Sequence, residues 1–451
     1  MRLFKINGAI SLGLVIIAGI GNFQVSAQNT TIPKLLNYLS ENQASVGINH
    51  PDNRFNGIWW SEIHNRRNTL LFGSASESSR DANCFVTSMV HNLLAEIYLT
   101  NPEFKNLHAV LDASLSAINS FRNNEGFNFF PLKDVSPKLL RSGELEFYPN
   151  GMRRASHFSY SKKFILHGFN IYNDADDTAL GLYANFLNFK ILPENNNDFL
   201  PDGDVIAEIF MRHRDINGSG TNLWNWIRGH GKETGAFNTW LPDNADPKIH
   251  PLFPHKGGFY MPYGVNDIDC VVNANILGIL AAMGIDRGPG IQEAADWIIE
   301  MIEKEKCSTC AVYYPSGYIL AYTVMKAWQR GAVVLEPAIE PLMQMIINEQ
   351  HQDGSWSDRM EGNEVQASLN AINSLIVMQS LTNEKLGSAI SAGLEFVMSR
   401  IRQNETQAWL EGGVVFSAGS LIKRTHVWVS DAYTTALLLQ ALVGIKSIQI
   451  K

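Results

Sequence analysis

At 451 residues, 45% hydrophobic and 18% charged, the chain has the make-up of a globular protein, long enough for one large domain or two ordinary ones. With 44 acidic side chains against 36 basic ones it carries a net charge of −8, and no run of Lys and Arg is long enough to neutralise a phosphate backbone, so nucleic acid is excluded as the expected partner. Four cysteines are too few for a disulfide scaffold.

The chain opens on a basic start, Arg2 and Lys5, followed by an apolar stretch from Ala9 to Ile20 and the small residues Val25-Ser26-Ala27. Residues 1–27 therefore read as a cleaved signal peptide, because the apolar run is short for a bilayer span of about 20 residues. That makes the mature protein, residues 28–451, periplasmic or secreted if the source is bacterial.

Beyond the leader the chain repeats. Asp81-Ala82-Asn83-Cys84, Asp174-Ala175-Asp176-Asp177 and Asp267-Ile268-Asp269-Cys270 each open a long run of small and apolar residues, and Ser430-Asp431-Ala432 opens a fourth. A short polar residue before such a run is a helix N-cap signal. Upstream of these starts stand glycine turns followed by aromatics: Gly57-Ile58-Trp59, Gly126-Phe127, Gly235-Ala236-Phe237 and Gly354-Ser355-Trp356. Repeated helix pairs that bury their faces only against neighbours predict an α-solenoid, closed or open. Strand signals are sparse.

The second copy is the most unusual. Asp174, Asp176 and Asp177 place three carboxyl groups in four residues, and if buried they cannot all ionise, so at least one keeps a proton. Capping alone explains Asp174, with Asp177 at N3 and Asp176 solvated. It does not explain why Asp177 stands where the other copies have Cys84 and Cys270. Just upstream, Arg153, Arg154 and His157, with Lys162, Lys163 and His167, form either a solvated basic connection or an anion-binding lip. In the segment from Gly229 to Trp240, the glycine turn accounts for Gly235 and Phe237 and leaves His230 and Trp240 as candidate ligand contacts. Asp267, Asp269, Cys270 and the distant His426 lack a zinc spacing, so no metal is expected. Cys307 and Cys310 read as a local disulfide or free thiols, and Tyr313 to Tyr318 as an aromatic turn that packs or lines a cavity.

The string Asp174-x-Asp176-Asp177-Thr178-Ala179 resembles the acid motif of squalene–hopene cyclases and other class II terpene cyclases. Gln350-His351-Gln352-Asp353-Gly354-Ser355-Trp356 is similar to their Q-x-x-x-G-x-W repeat, which ties the end of an outer helix to the next inner one. Asn53 to Trp59 fits that repeat with Asn for Gln, and Gln403 to Trp409 keeps its ends without the Gly.

The resemblance implies an all-α fold, a single α/α toroid of inner helices around a cavity with outer helices behind. It implies Asp176 as the general acid that protonates an isoprenoid to start cyclisation, with Asp174 and Asp177 assisting and no cofactor. Arg153, Arg154, His157 and Trp240 are then the expected substrate contacts. The partner would be a small hydrophobic molecule, and one drawn from a membrane would bring the protein to its surface. Two other readings stand beside this one: an exported glycan-active toroid, with Trp224, Trp226 and Trp240 as sugar platforms, and a non-catalytic toroid that binds a lipid or a protein.

Overall fold

The structure is a computed structural model that describes residues 30–45, 55–66, 78–133, 170–193, 200–216, 233–241, 266–381, 386–417 and 426–449, with short strands at 138–139, 145–146, 152–153 and 260–261. The leader at 1–27 lies outside the described residues.

The helices are α1 (30–41), α2 (Cys84–Thr100), α3 (Leu107–Ser120), α4 (Ala175–Ile191), α5 (Gly203–Met211), α6 (Cys270–Ala282), α7 (Ile291–Glu303), the single turn α8 (Cys307–Cys310), α9 (Gly317–Gln329), α10 (Ile339–Asn348), α11 (Glu364–Leu381), α12 (Gly387–Met398) and α13 (Asp431–Gln449). They sort into two kinds. In α7 the buried residues Ile291, Ala294, Ala295, Ile298, Met301 and Ile302 recur every three or four positions, which gives one apolar stripe and one wet face. In α4 and α6 nearly every residue of the first two turns is buried, whatever its polarity. A helix of that kind has neighbours on all sides.

Packing follows from this difference. α2 packs on α4, α4 on α6, α6 on α9, α9 on α11, α11 on α13, and α13 returns to α2. Among the described residues these six helices form a closed ring, and α3, α5, α7, α10 and α12 pack outside it. The sequence expectation of an α/α toroid describes this architecture.

Staples between outer and inner helices recur with the same chemistry. Gln350 Nε2 donates to the carbonyls of Gly354 (3.0 Å) and Ala389 (2.9 Å), and buried Trp356 donates its indole N–H to Ile346 in α10 (2.7 Å). Gly354 has φ +86°, and a Cβ there would meet the Ala392 carbonyl oxygen at 2.2 Å, so only glycine fits. The first copy is built the same way by Gln43, and Asn53 lies outside the described residues. Gln43 Nε2 donates to Gly57 (3.0 Å) and Val110 (2.9 Å), and Trp59 Nε1 donates to Leu39 (2.8 Å). The third expected copy is no staple: Arg402–Gln403 pairs antiparallel with Ala408–Trp409 as a hairpin, and Trp409 stacks on Tyr38 at 5.7 Å.

Strands are more numerous than the sparse signals suggested. A four-stranded antiparallel sheet joins β1 (Ser61–Asn65), β2 (Ser78–Asp81), β3 (Val414–Ser417) and β4 (His426–Val429) in the order β3-β4-β1-β2. It ties the two ends of the ring together, since β2 leads toward α2 and β4 toward α13.

Candidate active site

The helix starts place the acids. Asn83 caps α2 by accepting the Val86 N–H at 2.8 Å, and Asp269 caps α6 by accepting from Val271 at 2.7 Å. In the second copy the cap is Asp174, whose Oδ1 accepts the Asp177 N–H at 2.7 Å. The evenly spaced alignment of Asp81, Asp174 and Asp267 therefore slips: α4 begins two residues early in the motif, and Asp81 and Asp267 lie just ahead of their helices. This early start carries Asp176 and Asp177 into the first turn of α4, both buried.

Asp176 is gripped by two other parts of the ring. Its Oδ1 accepts from Asn275 Nδ2 of α6 at 2.6 Å, and its Oδ2 accepts from the Tyr314 hydroxyl just ahead of α9. Asp177 is enclosed, with its carboxyl against that of Asp174 and the Cys84 thiol. Burial raises all three pKa values. Asp174 is pushed up to about 6. Asp176 is pushed up to about 8, with Asp174 adding to the rise and the Tyr314 and Asn275 donors opposing it. Asp177 goes well above the carboxylate range, first by burial and then by the Asp174 charge. At neutral pH Asp177 thus keeps its proton, and so in the main does Asp176.

Aromatic rings extend from this point. Tyr314 meets Phe85 at 5.9 Å, Phe85 meets Phe416 at 5.2 Å, and Phe416 stacks on Trp428 at 4.8 Å, while Phe129 lies edge-on to both Phe416 (5.2 Å) and Trp428 (5.8 Å). Ring faces attract positive charge through their quadrupole. The site thus combines a buried acid with a raised pKa, donors that stabilise its conjugate base, and a run of aromatic rings packed in the core beside it.

The other sequence candidates are distributed unevenly. Trp240 lies beside the acids, its backbone paired with Asp174, but it is buried and its indole N–H donates to the Tyr313 hydroxyl at 3.1 Å. Tyr313 in turn donates to Asp267 at 2.8 Å, so Trp240 braces the site and is no open sugar platform. Arg153 is placed only by backbone, in the strand Met152–Arg153 paired with Leu132–Lys133. Arg154, His157, Lys162, Lys163, His167, Trp224, Trp226 and His230 lie outside the described residues. Among the described residues no group of His, Cys, Asp and Glu could hold a metal ion, and Asp269 is committed to the N–H groups of Val271, Val272 and Tyr313. Cys307 and Cys310 are free buried thiols, and no described helix is long and apolar enough to cross a membrane.

Sequence reasoning missed Asn275, Phe85, Phe129, Phe416 and Trp428 and left Tyr314 undecided. The one usable signal was the Tyr313-Tyr314 pair ahead of a helix start.

No family model matches this chain, and no curated protein matches it in sequence. Its similarity is to solved structures. A variant of a type II terpene cyclase from Scytonema, MstE, in complex with its substrate geranylgeranyl dihydroxybenzoate, superposes with a TM-score of 0.54 at 11% identity over 94% of this chain and 99% of that one. A variant of the same enzyme holding merosterolic acid A gives 0.52 at 12% identity, covering 94% and 99% of the two chains. A protein from Actinoplanes gives 0.53 at 14% identity, covering 93% and 99%. At such identities the likeness shows the fold, a mostly helical α/α toroid of the kind that class II terpene cyclases build.

Proposed function

We propose that this protein is a proton-initiated terpene cyclase-like isomerase in which Asp176 protonates a carbon–carbon double bond of an isoprenoid. The observation that carries the reading is the environment of Asp176: buried, proton-bearing at neutral pH, and gripped by Tyr314 and Asn275 next to a run of aromatic rings.

An alkene is a far weaker base than a carboxylate, so proton transfer needs a dry site whose conjugate base is stabilised in advance. Both Asp176 oxygens already receive a hydrogen bond, so the charge left by the departing proton meets fixed donors. Asp177, protonated against Asp174, keeps a second full negative charge from forming beside the acid. The carbocation then lies near Tyr314, Phe85, Phe416 and Trp428. The Scytonema enzyme of the same fold is described with a geranylgeranyl substrate and a cyclised acid as product, which favours a hydrophobic substrate here.

The test is incubation of the purified protein with isoprenoids and glycans in parallel, with untargeted product analysis. The expected result is a cyclised isomer of an isoprenoid, formed without added metal and absent with Asp176→Asn. Glycan cleavage, or cyclisation undiminished in Asp176→Asn, would contradict the proposal.

A further inference from the structure

α2 and α9 stand three places apart in a ring of six, so they face each other across its interior. Even so, Glu96 Oε2 of α2 lies 2.5 Å from Lys326 Nζ of α9, and Glu96 Oε1 accepts from Arg330 Nη2 at 3.0 Å. The Arg330 guanidinium lies 3.8 Å from the ring centroid of Tyr183 on α4, and the Tyr183 hydroxyl donates to the same Glu96 oxygen at 3.0 Å. A second bridge, from Tyr322 of α9 to Gln440 of α13 at 2.9 Å, also joins helices that are not ring neighbours. Side chains that connect such helices meet inside the ring, so together they floor its lumen. Tyr183 comes seven residues after Asp176, close to two full turns on the same face of α4, which sets the floor about 10 Å from the acid.

The floor is not neutral. Although burial opposes it, Lys326 and Arg330 pull the Glu96 carboxyl down to about 2, while burial lowers the Lys326 ammonium and Glu96 opposes that fall; with both cations charged the trio keeps one positive charge in surplus. The Lys326 and Arg330 side chains are only 11% and 10% exposed. A surplus charge buried that far costs several kcal/mol unless something compensates it. The carbonyl ends of α2 and α9 offset part of this, which lets the empty protein tolerate it. Arg330 spends Nε and Nη2 on Glu96, and among the described residues no hydrogen bond uses Nη1. A guanidinium with a free edge beside an ammonium is the donor set that receives a carboxylate or phosphate.

We propose that the floor is an anion subsite that takes the acidic head of an isoprenoid, a carboxylate or a phosphate. The alkene end would then reach Asp176. The choice of an isoprenoid and the reach of its alkene to Asp176 rest on the cyclase reading; the anion subsite itself rests on the charged trio.

The test is calorimetric binding of farnesoic acid, farnesyl phosphate and farnesol, which share one hydrocarbon chain and differ in the head. It is run on the native protein and on Asp176→Asn, where turnover cannot consume the ligand. At least one anion should bind about tenfold tighter than the alcohol, and which one does identifies the head. Arg330→Gln should erase that preference, and Glu96→Gln, which keeps both cations, should enlarge it. Equal binding of all three ligands, a preference that survives Arg330→Gln, or one that Glu96→Gln leaves unchanged would overturn the subsite. If Arg330→Gln does not fold, Glu96→Gln decides alone. Failure of cyclisation with intact anion preference would overturn the cyclase reading and leave the subsite standing.

Discussion

Asp176 shows how one residue would join a cost in stability to the proposed activity. Its carboxyl titrates at about 8 in the folded protein, so a general acid there works below that pH and fails above it. Turnover should therefore fall as pH rises through about 8. In Tyr314→Phe the falling limb should move to higher pH, because the lost donor had favoured the carboxylate; a pH–rate profile of both proteins checks this. Stability should fall over the same rise in pH. A raised folded pKa gives stability that is fully present below the unfolded value and lost as pH rises to about 8. Asp176→Asn escapes that loss, less about 1 kcal/mol for a disturbed hydrogen bond. It should therefore melt higher than the native protein at pH near 8 by the equivalent of a few kcal/mol, and the gap should close in acid. At this scale the sequence disclosed half of the site. Three carboxyls in four residues are visible as a string, whereas Asn275 and Tyr314 stand 99 and 138 residues away from Asp176 and reach it only through the fold.

The staples are the element whose chemistry the sequence showed most directly, and also where it misled. Gln350, Gly354 and Trp356 sit at the spacing that a tight turn requires. In the first copy the chain between Gln43 and Gly57 is longer, so fixed spacing pointed to Asn53, although the hydrogen bonds are those of Gln43. Spacing fails wherever an insertion separates two groups that geometry keeps together. The acidic copy misled in the same manner, since equal spacing hid the early start of α4. The staple is testable by urea unfolding. Gln43→Ala and Gln350→Ala each remove two hydrogen bonds and should each cost about 2 kcal/mol. Gly354→Ala, forced into φ +86° with its Cβ on the Ala392 carbonyl, should cost more than either. A Gly354→Ala protein as stable as the native one would remove the staple from the account.

At the scale of the molecule, the repeat with its capped starts predicted an α-solenoid, closed or open, and the resemblance to cyclases implied a toroid. Ring closure was not legible, because the contact between α13 and α2 and the pairing of β4 with β1 join distant parts of the chain. Short strands such as Ser78–Asp81 carry too few residues to show a period of two. Closure matters for function, because a ring has an interior with two ends. Asp176 and its aromatic neighbours occupy one end, and Glu96, Lys326 and Arg330 cross the other.

The central claim, that a proton from Asp176 starts the reaction, is tested most directly by turning over an isoprenoid in D2O and reading the mass of the product. Protonation of a double bond by an acid that has exchanged with solvent, followed by loss of a proton from the final cation, predicts a product one mass unit heavier, with the label on carbon, and no product from Asp176→Asn. A cyclised product without deuterium on carbon, or a labelled one that Asp176→Asn still makes, would contradict it.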